Sequence, residues 1–430
     1  MTAYDAIIVG AGVVGCSIAH GLSRAGFKTV NIDRLPAPGY GSTSHSSAII
    51  RPFYSHVTAC AIAHQARVRW LEWADFLNLP LGSGLAEYRE TGGIVLVREG
   101  EEDLYQNNLA ALDDVDVAYQ ILSGEELEAR LPHICLDSFG PPRPMQDADF
   151  GLPTGGRIGS GIYIPACGHV SDPQLATHNL FSAASAQGAG FRFNTELSAL
   201  LRTADRVTGV ALADGEEIHA PVVVNAAGPF SAGINELAGI TRELKITTRA
   251  QRHEVAYLRA PQSHSQVDNG FVVDLDAGVY QRRDGADLMI GTTDPECDPV
   301  DSVDPHAYND SFTEQWTLQV HRAAQRFPQL EIESKARGTV GLYDVSDDWI
   351  PIYDKTDLTG YYLAIGTSGN QFKNAPVIGD IMVAIITAEG SGIDHDLHPQ
   401  SLVLPDLARS VDLSFYSRRR EVQATHSVMA

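Results

Sequence analysis

The stretch Ala6-Ile-Ile-Val-Gly10-Ala-Gly12-Val-Val-Gly15 decides the fold of this chain. It begins with a short apolar run of strand-forming residues and passes directly into three spaced glycines. A helical pattern follows over residues 16–25, and a second apolar run follows over residues 29–33. A strand, a helix and a strand in this order form a right-handed βαβ unit with parallel strands. The sequence therefore predicts a parallel α/β sheet at the start of the chain.

The three glycines have the GxGxxG spacing of a dinucleotide-binding turn. In such a turn Gly10 permits the sharp bend, Gly12 lets the backbone approach a pyrophosphate, and Gly15 permits close helix packing. The helix N-terminus then faces the phosphates with its free N–H groups. Asp33 ends the second strand about 20 residues later, where a carboxylate accepts the ribose hydroxyls. The motif predicts a bound dinucleotide but does not distinguish FAD from NAD.

The composition favours an ordinary globular protein and restricts its partners. Of 430 residues, 44% are hydrophobic and 20% are charged, and the formal net charge is −23. Nucleic acids and anionic membranes require basic patches, so neither is an expected partner. A small anionic substrate would need a local positive pocket in a chain this acidic.

Other features of the sequence indicate a cytoplasmic protein without a metal site. No apolar run approaches the ~18 residues of a membrane span, and the first residues have no basic segment typical of a signal peptide. The cysteines have no CxxC pair, which favours free thiols and predicts no zinc site. They are Cys16, Cys60, Cys135, Cys167 and Cys297.

The order of the strand and helix patterns predicts two interleaved domains. We expect an α/β Rossmann-like nucleotide-binding domain interleaved with an α+β substrate domain built on a mostly antiparallel sheet. The glycine-rich residues 155–161 are expected to form a loop. The predicted nucleotide-binding segments are 1–90, 150–230 and 335–395, the predicted substrate-domain segments are 91–149 and 231–334, and residues 396–430 are expected to form a polar C-terminal tail.

Four further segments, in the right order, resemble the D-amino-acid-oxidase-like (DAO) flavoproteins. This family includes glycine oxidase, sarcosine oxidases and dimethylglycine dehydrogenase. The resemblance implies a bound FAD and the oxidation of an amine or amino acid by hydride transfer to it. The segments are GSTSHSSAIIR (41–51), VVNAAG (223–228), MIGTTD (289–294) and GTSGNQFKNAP (366–376).

The resemblance also implies which residues contact FAD. A helix that starts near Ala375, with Pro376 in its first turn, would direct its positive end at the pyrimidine edge of the flavin. The implied contacts are Gly10, Gly12, Gly15, Asp33, Arg34, Ser42, Thr43, His45, Ser46, Ala227, Gly228, Gly341, Gly369, Asn370, Gln371, Phe372 and Lys373.

Two cations are the candidates for binding the substrate carboxylate. In sarcosine-oxidase-like members, an arginine in Ile-Ile-Arg and a lysine in Phe-Lys have this role, and Arg51 and Lys373 stand in the same patterns here. They would supply the local positive pocket that an anionic group needs. The alternative is a phosphate contact or a surface salt bridge. Tyr280 and Tyr343 are further pocket candidates, whereas nothing in the sequence gives His253 a catalytic role.

Departures from the family pattern narrow the substrate class. Tyr343 stands where glycine-oxidase-like members have an arginine for primary amino acids, which favours secondary or N-methyl amino acids. Monomeric sarcosine oxidase has a flavin-linked cysteine at about Gly341, and its absence excludes that bond. Met289 replaces a lysine that helps to activate dioxygen. This replacement favours a dehydrogenase that passes electrons to another acceptor, although some oxidases also lack the lysine.

His45 raises the question of a covalent flavin. Dimethylglycine-dehydrogenase-like members bind flavin through a histidine in Gly-Ser-Thr-x-His, and the spacing of Gly41 to His45 is the same. Other members have an arginine at this position and no covalent bond. The sequence leaves both alternatives open.

Two other functions remain open at this stage. The first is an FAD-dependent 2-hydroxy acid dehydrogenase, which would need a base for the hydroxyl proton. The second is a flavin-binding subunit of a larger electron-transfer complex, and a homo-oligomer is equally compatible with the sequence. The preferred prediction is oxidation of a sarcosine-like or cyclic secondary amine to an imine that hydrolyses.

Overall fold

The predicted βαβ unit forms the centre of a six-stranded sheet. The computed structural model describes residues 4–79, 84–261 and 270–423. Five neighbouring strands of the sheet are parallel, and the strand Ile352–Lys355 at one edge is antiparallel. In order across the sheet the strands are Ile352–Lys355, Tyr361–Ile365, Val222–Asn225, Ala6–Val9, Thr29–Ile32 and Gly190–Arg192.

The central strands are apolar because both faces of this sheet are covered. Every residue of Ala6–Val9 and of Thr29–Ile32 is buried, as expected for a parallel sheet between layers of helices. The helix Val13–Arg24 follows the glycine turn directly. It approaches the helix Ala375–Gly390 closely, because Gly21 of the first helix lies against Gly379 of the second. The chain therefore brings an early and a late helix together beside the first strand.

A second sheet of eight strands is mostly antiparallel. Only the pair Gly93–Arg98 and Phe271–Asp274 is parallel. The helix Glu314–Arg326 packs on this sheet through Trp316, Val320 and Ala323. In order across the sheet the strands are Gly338–Ser346, Thr248–Arg259, Asp287–Thr292, Val279–Asp284, Phe271–Asp274, Gly93–Arg98, Ile158–Ile164 and Gln120–Ser123. The two sheets confirm the predicted fold class.

The remaining elements connect and flank these sheets. The other helices are Val57–Leu71, Trp73–Leu77, Gln106–Asp114, Gly124–Arg130, Pro173–Ala186 and Ser231–Ala238. Two small three-stranded sheets are formed by Leu197–Thr203, Arg206–Leu212 and Glu217–His219, and by Ile49–Ile50, Gly168–Val170 and Tyr88–Arg89. No helix in the part of the chain that the structure describes is both long and apolar enough to cross a lipid bilayer.

The prediction of a loop over residues 155–161 is wrong for residues 158–161, which belong to a strand. The strand Ile158–Ile164 pairs with Gly93–Arg98 inside the eight-stranded sheet. Its glycines permit close packing: a Cβ atom on Gly161 would lie 2.7 Å from a methyl carbon of Leu127. This strand and Gly338–Ser346 belong to the eight-stranded sheet although both lie in segments predicted to bind the nucleotide. The division of the chain into two domains stays a prediction.

The residues after the last long helix are held by buried charges. Ser401–Leu404 and Arg409–Asp412 form a hairpin. Arg418 is completely buried, and its guanidinium donates to Asp354 at 3.1 Å and to Asp396 at 2.8 Å. This arrangement fixes residues 396–423 against the edge of the six-stranded sheet, whereas residues 424–430 of the expected tail lie outside the described residues.

Candidate active site

A cleft of about 480 Å³ lies at the carboxyl edge of the six-stranded sheet. This edge of an open parallel sheet is where ligands bind, because the loops that leave the strands converge there. Most of the residues predicted from the sequence to contact a cofactor line the cleft. They are Gly10, Gly12, Asp33, Arg34, Ser42, Thr43, Ser46, Ala227, Gly228, Gly369, Gln371 and Phe372.

The glycine turn can only be made without side chains. Gly10 has φ +112°, and a Cβ atom there would lie 2.4 Å from the carbonyl oxygen of Ala226. A Cβ atom on Gly15 would lie 2.2 Å from the carbonyl oxygen of Gly10. Gly15 therefore lies beneath the cleft and not in its lining. At Gly12 the nearest neighbour of a Cβ atom would be Thr43 Oγ1 at 3.4 Å, so this position leaves its backbone accessible to a ligand.

Asp33 is oriented by two backbone N–H groups at one end of the cleft. Its Oδ2 accepts from Ala11 N at 2.6 Å and its Oδ1 accepts from Leu35 N at 2.8 Å. Burial raises the pKa of this carboxyl above its usual value, and the two backbone hydrogen bonds oppose the shift. The carboxylate is thereby fixed in place, as a group that accepts ribose hydroxyls must be.

Arg34 belongs to a cluster that the sequence analysis did not find. Its guanidinium lies 3.8 Å above the ring of Phe230, and its Nη1 lies 3.2 Å from Nδ1 of His306. Phe230 and His306 also line the cleft. They come from parts of the sequence far from residue 34 and carry no local motif, so only the folded chain brings them together.

A smaller cavity of about 50 Å³ adjoins the cleft. Ser46, Ser47, Tyr343, Gly369 and Phe372 line both spaces. The remaining wall of the smaller cavity combines apolar residues with the predicted cations. Its other lining residues are Ile49, Arg51, Phe271, Val273, Tyr280, Asn370 and Lys373. The structure thus brings all four residues predicted for the substrate pocket to one cavity.

Arg51 and Lys373 converge on Tyr54, a residue that the sequence analysis missed. The Lys373 ammonium lies 2.6 Å from the Tyr54 hydroxyl and also donates to the carbonyl of Asn370. The Arg51 guanidinium lies 4.6 Å from the centre of the Tyr54 ring and donates to the carbonyl of Phe53. Burial, and then the charge of Arg51, hold the pKa of Lys373 well below its usual value. An anion bound in this cavity would stabilise the charged form of Lys373 and would therefore raise its pKa.

Comparisons with known proteins agree with this geometry. The model of the protein family described as "FAD dependent oxidoreductase" (DAO) matches residues 5–385 of this chain. The chain belongs to this family. It is 23% identical to FAD-dependent oxidoreductase domain-containing protein 1 of Xenopus laevis, over 90% of this chain and 79% of that protein. It is also 23% identical to 4-methylaminobutanoate oxidase (formaldehyde-forming) of Paenarthrobacter nicotinovorans, over 90% of this chain and 44% of that protein.

The fold is also similar to that of solved structures. L-proline dehydrogenase from P. horikoshii superposes with a TM-score of 0.76 at 21% identity, over 97% of this chain and 97% of that chain. At this identity the likeness establishes the fold alone. The chain is therefore an FAD-dependent oxidoreductase with a Rossmann-like nucleotide domain and a mixed-sheet substrate domain.

The residues of the large cleft fit FAD. The bare backbone at Gly10 and Gly12 and the first turn of Val13–Arg24 are suited to a pyrophosphate. The fixed carboxylate of Asp33 is suited to the ribose. At the other end of the cleft, the helix Ala375–Gly390 begins at the predicted residue, with a proline in its first turn, and the loop that precedes it lines the cleft through Gly369.

His45 and Gly341 lie beside the FAD cleft and outside its lining. The His45 Nδ1 forms a hydrogen bond with Thr339 Oγ1, and burial lowers the pKa of His45. A Cβ atom on Gly341 would lie 2.9 Å from Cβ of His45, so the glycine makes room for the imidazole. Met289 is buried in the strand Asp287–Thr292, away from the lining of both spaces.

Asp344 is a further residue of the site that the sequence did not predict. It lines the FAD cleft, and its carboxyl accepts from Gly366 N at 2.6 Å and from the Ser231 hydroxyl at 3.1 Å. Burial raises its pKa to about 7, against the effect of these hydrogen bonds. Its only signal in the sequence is an acidic residue within an apolar strand. Asp344 joins the eight-stranded sheet to the loop at the flavin end of the cleft.

Proposed function

We propose that this oxidoreductase acts on a secondary or N-methyl amino acid. FAD, when bound, accepts a hydride from a carbon next to nitrogen, and the resulting imine is hydrolysed by water. The observation that carries the proposal is the cavity lined by Arg51 and Lys373, because it adjoins the FAD cleft and shares lining residues with it. The substrate is then held where its oxidisable carbon faces the cofactor.

The two cations account for recognition of a carboxylate. Each N–H donor that reaches a carboxylate forms a charge-assisted hydrogen bond, and a guanidinium can form two. Lys373 has no carboxylate partner within the described residues. A substrate carboxylate would compensate the cost of burying two like charges side by side. Recognition therefore depends on the anion and leaves the amine end to face the apolar wall.

The amine end meets a neutral surface. Ile49, Phe271 and Val273 line the cavity without polar side-chain atoms, and burial holds the pKa of Tyr280 and Tyr343 above its usual value, so both phenols stay neutral. Such walls tolerate an N-alkyl group and exclude water from the reacting carbon. Two proteins similar to this chain are named for substrates with a secondary amine, 4-methylaminobutanoate and L-proline. Both names support this substrate class. The electron acceptor is dioxygen or another molecule, and the methionine at 289 favours the latter.

The test is an anaerobic mixture of the FAD-loaded protein with single candidate substrates, followed by the visible absorbance of the flavin. We expect sarcosine or proline to bleach the flavin, and glycine and D-alanine to bleach it far more slowly. Admission of air then separates an oxidase from a dehydrogenase. Bleaching by 2-hydroxyglutarate alone would show a 2-hydroxy acid dehydrogenase and contradict the proposal.

A pair of variants tests the role of Arg51. Arg51→Met should lower kcat/KM by about 100-fold, since it removes two charge-assisted hydrogen bonds. The control is Arg89→Met, which removes an exposed arginine outside both cavities. Retained FAD in Arg51→Met with unchanged kcat/KM would assign the arginine to a structural role.

Attachment of the cofactor has its own experiment. Denaturation of the holoprotein followed by gel filtration separates free flavin from the chain. If flavin remains with the wild-type chain but separates from the His45→Asn variant, the flavin is covalently bound at His45. Flavin released from both proteins would show that His45 forms no covalent bond to it and is held by Thr339 as a neutral neighbour of the cleft.

A further inference from the structure

A third cavity, of about 450 Å³, lies in the eight-stranded sheet and shares no lining residue with the FAD cleft or the substrate cavity. It forms where two neighbouring strands separate. Thr248–Arg259 pairs with Asp287–Thr292 only from Val255 to Arg259. Towards the start of the longer strand the two strands diverge, and residues 251–254, Thr292, Asp294 and residues 297–301 line the space between them.

The polar atoms at this gap have unused hydrogen-bonding capacity. Gln251, His253 and Glu254 are 4%, 8% and 1% exposed. Gln251 Oε1, His253 Nε2, Glu254 Oε2 and Asp294 Oδ2 are buried and have no hydrogen-bond partner among the described residues. A buried acceptor without a donor loses the hydrogen bonds that it would form with water and destabilises the folded protein. Such groups are rare in folded proteins unless a ligand or water satisfies them.

The charges around the cavity favour a cation. Five carboxylates line it, against the single guanidinium of Arg252; they belong to Glu254, Asp294, Asp298, Asp301 and Glu314. Asp298 is paired with Arg322, which lies behind the lining. Burial, and then the charge of Asp298, raise the pKa of the Asp294 carboxyl to about 7. Among the described residues its ion-pair partner is the imidazole of His253, at 3.7 Å. Burial holds the pKa of His253 at about 3, so this imidazole is neutral and does not compensate the carboxylate.

We propose that this third cavity binds a small protonated amine, whose N–H groups donate to Gln251, Glu254 and Asp294. The unpartnered atoms are mainly acceptors, so the complementary ligand is a cation with several donors. A metal ion does not fit as well, since the described residues contain no group of three or more His, Cys, Asp or Glu side chains arranged to hold one. The cavity volume is large enough for an organic cation.

The third cavity is in contact with the substrate cavity through stacked side chains. The imidazole of His253 lies 3.9 Å from the ring of Tyr343, centre to centre and nearly parallel. Tyr343 lines the substrate cavity together with Tyr280. A ligand that engages Asp294 and His253 therefore lies one aromatic layer from the place where the proposed substrate binds, and its arrival should perturb the visible spectrum of the flavin.

Calorimetric titration of the FAD-loaded protein with methylammonium chloride near pH 8 tests the proposal. Tetramethylammonium chloride is the matched ligand, because it carries the same charge and has no N–H donor. We expect methylammonium to bind one per chain and tetramethylammonium to bind at least about 10-fold more weakly. Absence of methylammonium binding, or equal affinity for the two cations, would overturn the proposal.

Substitutions identify the cavity in which methylammonium binds. Asp294→Asn should weaken methylammonium binding at least about 10-fold, and Gln251→Met is the second variant if the first fails to fold. Glu296→Gln, which removes an exposed carboxylate just outside the lining, should leave the affinity unchanged. Arg51→Met should also leave it unchanged, and tighter methylammonium binding in this variant would place the cation in the substrate cavity, where Arg51 repels it, and would refute the proposal. Because these titrations need no turnover, their outcome is independent of which substrate is oxidised.

Discussion

The two sheets hold their ligands by different means. In the six-stranded sheet the strands Ala6–Val9 and Thr29–Ile32 are buried throughout, and the turn that follows Ala6–Val9 presents bare backbone at Gly10 and Gly12 to the cleft. The eight-stranded sheet carries buried charged residues such as Arg252, Glu254 and Arg282. We therefore expect the shape of the backbone to be decisive for FAD binding, and charge to be decisive for the ligands proposed for the other two cavities. Substitutions in the two regions should therefore impair different properties of the protein.

The largest effect is expected from Gly10→Ala in the cofactor region. The new Cβ atom would lie 2.4 Å from the Ala226 carbonyl oxygen, at a φ of +112°. Strained backbone of this kind costs about 3 kcal/mol before any clash is relieved. We expect loss of bound FAD, measured as flavin absorbance per chain, and a lower unfolding midpoint. Gly26→Ala is the control, because Gly26 has φ +88° with no atom within 4 Å of the new Cβ. Equal FAD content in both variants would show that shape is not decisive at this turn.

Asp344→Asn tests the contact between the two regions. The folded-state pKa of Asp344 is about 7 and its ordinary value is 3.8, so the folded protein holds the proton more tightly. This contribution to stability is complete below about pH 4 and is lost as the pH rises to about 7. Its size is at most roughly 4 kcal/mol. We expect denaturant unfolding at several pH values to show a weaker pH dependence in Asp344→Asn than in the wild type.

The control for this measurement is Asp347→Asn, a partly exposed carboxyl three residues away. It should retain the wild-type pH dependence. If both variants behave alike, the buried carboxyl of Asp344 is not the origin of the effect.

Lys373→Met should change activity and leave FAD binding intact, which would sharpen the contrast between shape and charge. Loss of one charge-assisted hydrogen bond predicts a decrease in kcat/KM for proline of roughly 30-fold. Pyrrolidine has the same ring without the carboxylate, and its kcat/KM should not decrease. Lys335→Met removes an exposed lysine and serves as control. Equal decreases for proline and pyrrolidine would contradict carboxylate binding by Lys373.

Tyr54→Phe is expected to have the smallest effect. The hydroxyl positions the Lys373 ammonium at 2.6 Å, and loss of one hydrogen bond of about 1 kcal/mol predicts a KM increase of about 5-fold with little change in kcat. Tyr40→Phe, at a tyrosine that is 54% exposed, is the matched control. A decrease in kcat with constant KM would instead indicate that Tyr54 acts in the chemical step.

The parts of the molecule that the sequence predicts are those with local signals. The turn at Gly10 and Gly12, the carboxylate of Asp33 and the start of the helix Ala375–Gly390 each follow from a few neighbouring residues. The strand Ile158–Ile164 was missed because its glycines indicate a loop locally, and only the packing of Leu127 explains them. Tyr54, Asp344 and the third cavity depend on residues distant in sequence. No periodicity or motif in the sequence predicts which distant residues come together in the fold.

The strand Ala6–Val9 has one partner close by in sequence, Thr29–Ile32, and a second partner that is synthesised much later. Ala6–Val9 pairs with Val222–Asn225, which in turn pairs with Tyr361–Ile365. During synthesis at roughly 5–20 residues per second, the ribosome needs tens of seconds to supply the second strand and longer to supply the third. The glycine turn leaves the ribosome long before the third strand, yet the cleft closes only when Phe372 has been made. Cofactor capture should therefore be a late event in the biogenesis of this protein, and Ala6–Val9 is a segment that chaperones would need to shield until then.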